Sequence, residues 1–585
     1  MMAAVFSSGT AEAGVPILLF PDVRPGMKGT GRTVFSGSRV ESFDVEILGT
    51  LPKIGPDQNL ILARCSGGPL AETGILAGMS GSPVFVDGKL VGAIAYSWGF
   101  SKDAVAGITP IEEMLATLGQ EPVPGSRARA GGGLTGNDLN RLHSAGSLMT
   151  FFSSQLPAQV PRPVFAAPVS IPVSVAGIEP SGAARLLPGM SQLGFLPVQG
   201  GGSGSRPVPS PGLEPGSAVG LKLVRGDVDM TATGTVTWVD GDRVLAFGHP
   251  LFGLGSVGFP LTGAQVEALL PSLERSLRLA TPLAELGAFV QDRRAAVLGR
   301  LGAPPRMIPV RLRMSFGGGG EKSFSFDVAE DPMLAPLLLY VSLNGILEST
   351  ERVYGNITLR LREGSVIKTE GHEDVELSNT YAGSTAPYFA TGTSAFILYV
   401  LMNNDLTPPR IGGVNLMLDY ADEPRTARVR RVTLDRYRVR AGDDVQASVV
   451  LSPFRGPELT LTRKISIPRE TLPGPLVLNV GDALAVSRMD SADGPPLPTE
   501  LSQLIALINR VPRNDRVYIV ASREDAGVFL GGSRLPNLPP SVNTILSRPR
   551  SRGNFSMIPQ RNILEEEIRV DYAVDGLARV QLEVE

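Results

Sequence analysis

The sequence predicts a mainly β protein built from three to five domains. Three observations carry this. Glycine (68) and proline (49) are abundant, which favours short strands joined by turns over long helices. Short apolar segments are punctuated by Asp87-Gly88, Asp240-Gly241 and Asp575-Gly576, each a tight hairpin signal. A chain of 585 residues also exceeds what one hydrophobic core organises.

The elements follow in chain order. Within residues 17–120, strands are expected at Phe43–Leu48 and Leu60–Arg64. Val84-Phe85-Val86 and Leu90 to Ile94 form a hairpin about Asp87-Gly88. Thr109, Pro110 and Glu112 suggest a capping box opening a helix that Gly119 closes. Residues 121–217 read as linker and connecting chain, with proline- and glycine-rich stretches at 121–135 and 197–217 and a helix near Asp138–Phe152. Within residues 218–310, Gly234–Val239 and Arg243–Phe247 flank Asp240-Gly241, and Thr262 with Gln265 suggests a second capping box and a helix at Ala264–Leu270. Residues 311–430 are expected to be strand-rich, with a helix at Met333–Leu347. Alternating strands at 431–485 suit a small sandwich. Residues 486–585 hold a helix near Glu500–Asn509, a strand at Val517–Ala521 and a terminal hairpin about Asp575-Gly576.

Hydrophobic residues at 43% and charged residues at 19% describe a soluble globular chain. A net charge of −3 with no long basic stripe argues against a nucleic-acid partner. The longest apolar runs, such as Ala395 to Met402, fall short of the roughly 18 residues that span a bilayer. Cys65 is the single cysteine, so no intramolecular disulfide forms, and its default role is a small buried hydrophobe. Ala11-Glu12-Ala13 fits a small-residue cleavage site without a basic n-region. Residues 1–16 therefore read either as the remnant of an export signal or as an ordinary terminus. The first reading implies a periplasmic, cell-surface or extracellular protein; the second leaves the cytoplasm open.

The chemistry concentrates in Gly78-Met79-Ser80-Gly81-Ser82-Pro83. Glycines on both sides of Ser80 allow a tight turn that presents the hydroxyl, with the N–H groups of Gly78 or Met79 and of Ser80 converging as an oxyanion hole. A structural glycine turn accounts for the motif equally well on its own. A serine nucleophile needs a base, and the chain has three histidines: His143, His249 and His372. His249 is fixed between Gly248 and Pro250 at the end of a predicted strand. His143 lies on a poorly defined helix and His372 in a polar run, where one histidine beside Glu373 and Asp374 suits a solvated turn better than a metal site. Gly253-Leu254-Gly255-Ser256-Val257-Gly258 matches a dinucleotide fingerprint without the surrounding βαβ unit, and Gly317–Ser323 reads as a hairpin loop rather than a phosphate loop. No cofactor or metal is implied.

Two blocks of sequence resemble the SpoIVB peptidases, serine peptidases distantly related to the chymotrypsin-type double-barrel enzymes. One block comprises Ser42–Ile47, Thr73–Val84, Gly88–Ala93, Gly107-Ile108 and Ile111–Leu115; it resembles the family's C-terminal half, whose nucleophile falls at Ser80. The other, Gly234–Thr237 and Leu245–His249, resembles the N-terminal half, whose catalytic histidine falls at His249. The family runs histidine half first, whereas here Ser80 precedes His249. The resemblance therefore implies a permuted chymotrypsin-like double β-barrel, and the strand pattern places β-rich, sandwich-like C-terminal domains after it. The resemblance also implies that residues 20–120 and 218–310 pack together. The family's aspartate upstream of the serine has no counterpart in Ala63–Gly68. Asp57, Glu72, Asp240 and Asp242 lie near the motifs without matching the pattern.

Two functions follow as expectations. One is a serine endopeptidase acting on protein or peptide substrates, its own linkers included, through Ser80, His249 and a backbone oxyanion hole at Gly78 and Met79. The other is a non-catalytic relative that keeps the peptidase fold as an exported binding or cell-surface scaffold.

Overall fold

A computed structural model describes residues 15–98, 101–120, 167–178, 195–201, 208–350, 355–492, 498–523, 527–530, 533–535, 541, 555–558 and 561–585. The linker at 121–135, the helix expected at Asp138–Phe152 with His143, and Ala11-Glu12-Ala13 lie outside the described residues. The chain divides into two compact units. The first draws on 1–129, 154–308 and 326–349, the second on 130–153, 309–325 and 350–585.

The first unit contains two closed antiparallel barrels of six strands each. The leading barrel comprises β1 (Lys28–Val34), β2 (Val40–Gly55), β3 (Gln58–Ser66), β4 (Pro83–Val86), β5 (Lys89–Ser97) and β6 (Val105–Pro110). They close in the order β1-β2-β3-β6-β5-β4. Alternation along β2 and β3 sends Phe43, Val45, Ile47, Ile61, Ala63 and Cys65 inward. The β4–β5 hairpin turns at Asp87 and Gly88, both with positive φ (48° and 74°), as a tight two-residue turn requires. A short helix α1 (Leu70–Thr73) precedes the serine motif, and α2 (Ile111–Leu115) follows β6. Thr109 does not cap α2. It lies in β6, and its hydroxyl donates to Gly248 O at 2.7 Å, while Glu112 accepts from the Phe20 N–H.

Three short strands, β7 (Ala167–Pro168), β8 (Ile171–Ala176) and β9 (Phe195–Gln199), precede the second barrel. That barrel comprises β10 (Ala218–Gly226), β11 (Asp229–Asp240), β12 (Arg243–Ala246), β13 (Gly255–Leu270), β14 (Leu277–Asp292) and β15 (Val297–Leu301), closing as β10-β13-β14-β15-β12-β11. The helix expected at Ala264–Leu270 is instead the end of β13. That 16-residue strand pairs with β14 along its length and with β10 at Leu261–Gly263. Two ladders outweigh a local capping signal.

The barrels pack as the resemblance implies. Phe85, Leu90, Ile111 and Met114 of the first share one apolar cluster with Leu245 and Leu298 of the second. Val34 packs against Ala218, Ala264 and Val266. Gly37 and Val266 exchange backbone hydrogen bonds, both 2.8 Å long.

The second unit holds most of β16 (Met307–Phe316) and the start of β17 (Glu321–Ala329), joined by a loop at Gly317–Gly320 within the loop expected at Gly317–Ser323. The helix α3 (Leu334–Thr350), expected at Met333–Leu347, belongs almost wholly to the first unit. Next come β18 (Ile357–Leu361), β19 (Val366–Thr369), β20 (Val375–Glu376), β21 (Asn379–Gly383), α4 (Ala386–Asn403) and β22 (Ile411–Ala421). The buried helix α4, which packs against β18 and β21, was not expected from the sequence. It is apolar on every side and rich in β-branched and aromatic residues, so no 3.6-residue period marks it.

A two-sheet sandwich completes the chain. Its strands are β23 (Thr426–Leu434), β24 (Arg438–Val439), β25 (Asp444–Pro453), β26 (Leu459–Ser466), β27 (Gly474–Gly481), β28 (Arg516–Arg523), β32 (Arg561–Arg569), β33 (Ala573–Asp575) and β34 (Leu577–Val584). A further three-stranded sheet is formed by β29 (Gly527–Leu530), β30 (Ser533–Leu535) and β31 (Phe555–Ile558). Helices α5 (Ala483–Ala492) and α6 (Leu501–Asn509) separate β27 from β28. The sandwich sheets run β26-β25-β23-β33 and β24-β34-β27-β28-β32. The terminal hairpin is therefore not formed: Asp575-Gly576 carries the chain from one sheet to the other. No helix among the described residues is long and apolar enough to cross a membrane.

Candidate active site

Ser80 sits in a turn between α1 and β4. Gly78 and Gly81 both adopt φ +96°, a conformation that L side chains rarely take. Gly81 is also required for space, since a Cβ there would stand 2.0 Å from Thr235 O and 2.5 Å from Phe247 N. The turn is closed by Met79 N–H to Leu76 O at 3.0 Å and Ser82 N–H to Met79 O at 2.9 Å. Ser80 is 0% exposed, and its Oγ has no hydrogen-bond partner among the described residues.

His249 follows the end of β12, through Phe247 and Gly248, both at positive φ. It is 1% exposed. Its Nδ1 lies 2.8 Å from Pro250 O. A carbonyl only accepts, so Nδ1 carries the proton, and the neutral ring leaves Nε2 as an acceptor. Nε2, like Ser80 Oγ, is buried without a hydrogen-bond partner among the described residues. Burial pulls the imidazole pKa down to about 4, against backbone hydrogen-bonding from Pro250 and Val169. The ring is therefore neutral at pH 7.

The two loops interlock. Thr235 N–H donates to Ser80 O at 2.9 Å, and Phe247 N–H donates to Thr235 O at 3.3 Å. The serine turn is thus tied through one residue of β11 to the strand end that carries His249. Thr237 Oγ1 donates to Gly81 O, and Thr109 Oγ1 donates to Gly248 O, each at 2.7 Å. Ser80 Oγ and His249 Nε2 are not hydrogen-bonded to each other. The N–H groups expected to hold an oxyanion are also engaged: Gly78 donates to Ser170 O at 3.2 Å and Met79 to Leu76 O.

Residues 4–115 match the family model of the SpoIVB peptidases, S55. Over this segment the chain is similar to the SpoIVB peptidases. No curated protein and no solved structure matches the chain. The SpoIVB-type segment spans the whole first barrel and includes Ser80; His249 lies beyond it, on the second barrel of the same compact unit.

Two residues around the Ser80 and His249 loops escaped sequence reasoning. Arg278, on β14, is fully buried beneath the serine turn. It donates to Gly78 O, to Val34 O at 3.0 Å and Gly234 O at 3.3 Å, and to the hydroxyls of Thr33 (3.0 Å) and Thr235 (2.9 Å). Burial pulls its pKa down to about 9, so it is still a cation at pH 7. No carboxylate neutralises it among the described residues, and a lone arginine in a β-pattern gives no signal of this role.

The second is Asp292, at the end of β14. Its carboxylate accepts from the N–H groups of Leu251, Phe252 and Gly253 at 2.8–2.9 Å and of Leu254 at 3.4 Å. The backbone of Leu251–Leu254, which enters the glycine-rich segment, is therefore a cradle for the chain's own anion, and this fixes the loop immediately after His249. Burial pushes the Asp292 carboxyl up, against the four N–H groups that favour the anion. Of the acids near the motifs, Asp57 and Glu72 are exposed and Asp240 pairs with Arg243. The group hydrogen-bonded to His249 Nδ1 is the Pro250 carbonyl. Cys65 is a buried thiol whose pKa is raised to about 12 by desolvation. His372 is exposed, and no metal-holding cluster occurs among the described residues.

Proposed function

We propose that the first unit is a serine endopeptidase in which Ser80 is the nucleophile and His249 its base. One observation carries the reading: two buried, unpartnered atoms, Ser80 Oγ and His249 Nε2, stand on loops tied together through Thr235. The tautomer fixed by Pro250 O supports it, because it leaves Nε2 free to accept. Ser80 Oγ attacks the scissile carbonyl of a peptide segment and its proton passes to Nε2. The imidazolium then returns that proton to the leaving amine, and water repeats the sequence on the acyl-enzyme. Arg278 holds the Gly78 carbonyl and places an unneutralised positive charge beneath the turn where the oxyanion develops. A carbonyl stabilises the imidazolium less than a carboxylate does, so turnover is expected to be slower than in enzymes with a full triad.

The test is covalent labelling with a fluorophosphonate, followed by intact mass and peptide mapping. The adduct is expected on Ser80, absent in Ser80→Ala and slowed about 10²–10⁴-fold in His249→Ala. Labelling that persists in Ser80→Ala overturns the assignment. An unlabelled wild type together with unlabelled, folded variants of the segment at 167–170 favours the scaffold reading.

A further inference from the structure

One extended segment passes both loops of the candidate site. The strand β7 lies antiparallel on the C-terminal end of β5, beyond the stretch paired with β4, with Pro168 opposite Tyr96 and Ala167 opposite Ser97. Val169 N–H continues the ladder by donating to Ala95 O at 2.8 Å. Its side chain is buried in the apolar cluster that includes Met79 and Ile94. One residue on, Ser170 O takes the Gly78 N–H. The chain then enters β8, which pairs with β11 of the histidine-bearing barrel. Residues 167–173 thus leave one barrel, pass the serine turn and join the other, and the Val169 backbone acts on the His249 ring.

That is the path of an extended peptide bound by strand addition: main-chain ladder on one side, alternate side chains in pockets. We infer that the β5 edge is the peptide-binding strand of the peptidase and that Ala167-Pro168-Val169-Ser170 occupies it as a built-in substrate mimic. Two consequences follow. The pocket filled by Val169 takes a small β-branched aliphatic residue on the acyl side of the scissile bond, with proline accommodated before it. The segment also keeps the enzyme shut, because the Gly78 N–H needed by a scissile carbonyl at Val169 is given to the Ser170 carbonyl one residue further on. The register is therefore an inhibitory one. This inference rests on the Ser80–His249 reading.

The experiment uses the full chain and two variants, Val169→Asp, which puts a carboxylate into the apolar pocket, and Val169→Gly, which empties it. Folding is checked by circular dichroism, and Val169→Gly serves alone if Val169→Asp does not fold. Fluorophosphonate labelling of Ser80 is expected to accelerate at least about tenfold over wild type, as the open state gains population. Added acetyl-Ala-Pro-Val-Ser is expected to slow labelling of Val169→Gly again, and the same peptide with Asp in place of Val is expected not to. Equal labelling rates in wild type and the folded variants overturn the mimic and leave the Ser80 assignment intact. Acceleration that neither peptide reverses means general loosening and also overturns it. Absence of labelling in every folded form overturns the underlying Ser80–His249 reading.

Discussion

At the residue scale, the site is governed by two buried basic side chains, His249 and Arg278, with no carboxylate partner among the described residues. His249 has a pKa of about 4 in the folded chain against 6.5 when exposed. The unfolded chain therefore binds the extra proton between these values, and folding loses stability as pH falls from 6.5 towards 4. The full effect is about 3 kcal/mol, present above the unfolded pKa and gone below the folded one. Urea unfolding of the full chain across this range is expected to show the slope, and His249→Gln to reduce it. Arg278 acts through the groups it holds. Arg278→Met strands the carbonyls of Val34, Gly78 and Gly234, each worth about 1–3 kcal/mol when left unsatisfied, although it also removes the cost of burying a charge. A net loss of a few kcal/mol in urea unfolding is expected, with slower labelling of Ser80. Arg278→Lys, which keeps the charge but not the fork, is expected to fall between. Unchanged stability in Arg278→Met would mean that the backbone alone holds the turn.

At the element scale, two glycines separate a docking requirement from a turn requirement. Gly81→Ala drives a Cβ into Thr235 O and Phe247 N, both backbone atoms of the partner barrel. A loss of more than about 4 kcal/mol is expected, read as a lowered urea midpoint. Gly241, also at positive φ, faces open space, so Gly241→Ala is expected to cost only about 1 kcal/mol of backbone strain. Similar losses at both positions would refute the distinction. The same contrast shows what the sequence makes legible. Asp87-Gly88 and Asp240-Gly241 announce their hairpins because turn chemistry is local. The turns that carry Ser80 and His249 are legible for a related reason, since flanking glycine and proline constrain each backbone. Asp292 and Arg278 are not, because their partners lie 38 to 41 and up to 245 positions away. Thr262 with Gln265 misled for the opposite reason: a local helix signal was overridden by ladders on both sides of β13. Asp575-Gly576 misled because a turn dipeptide says nothing about which sheet receives the next strand.

At the scale of the whole molecule, cores that close on themselves differ from cores that need a partner. The sandwich packs Val445, Val449 and Ile465 of one sheet against Leu478, Ile519 and Leu582 of the other. Its strands all fall between Thr426 and Val584, a continuous stretch of chain. The first barrel lacks that independence. Phe85, Leu90, Ile111 and Met114 complete their cluster only with Leu245 and Leu298, supplied more than a hundred residues later. A fragment of residues 424–585 is therefore expected to fold alone and unfold in one cooperative transition, with Leu478→Ala costing it about 2–5 kcal/mol. A fragment of residues 15–120, which contains most of the SpoIVB-type match, is expected to bind hydrophobic dye or aggregate through the uncovered cluster. Mixing it with residues 154–349 is expected to restore solubility, since those residues carry the second barrel and the strand on β5. If residues 15–120 instead remain soluble and cooperative alone, the barrels dock as finished bodies. Thr235 and Arg278 would then join two preformed surfaces rather than complete one fold.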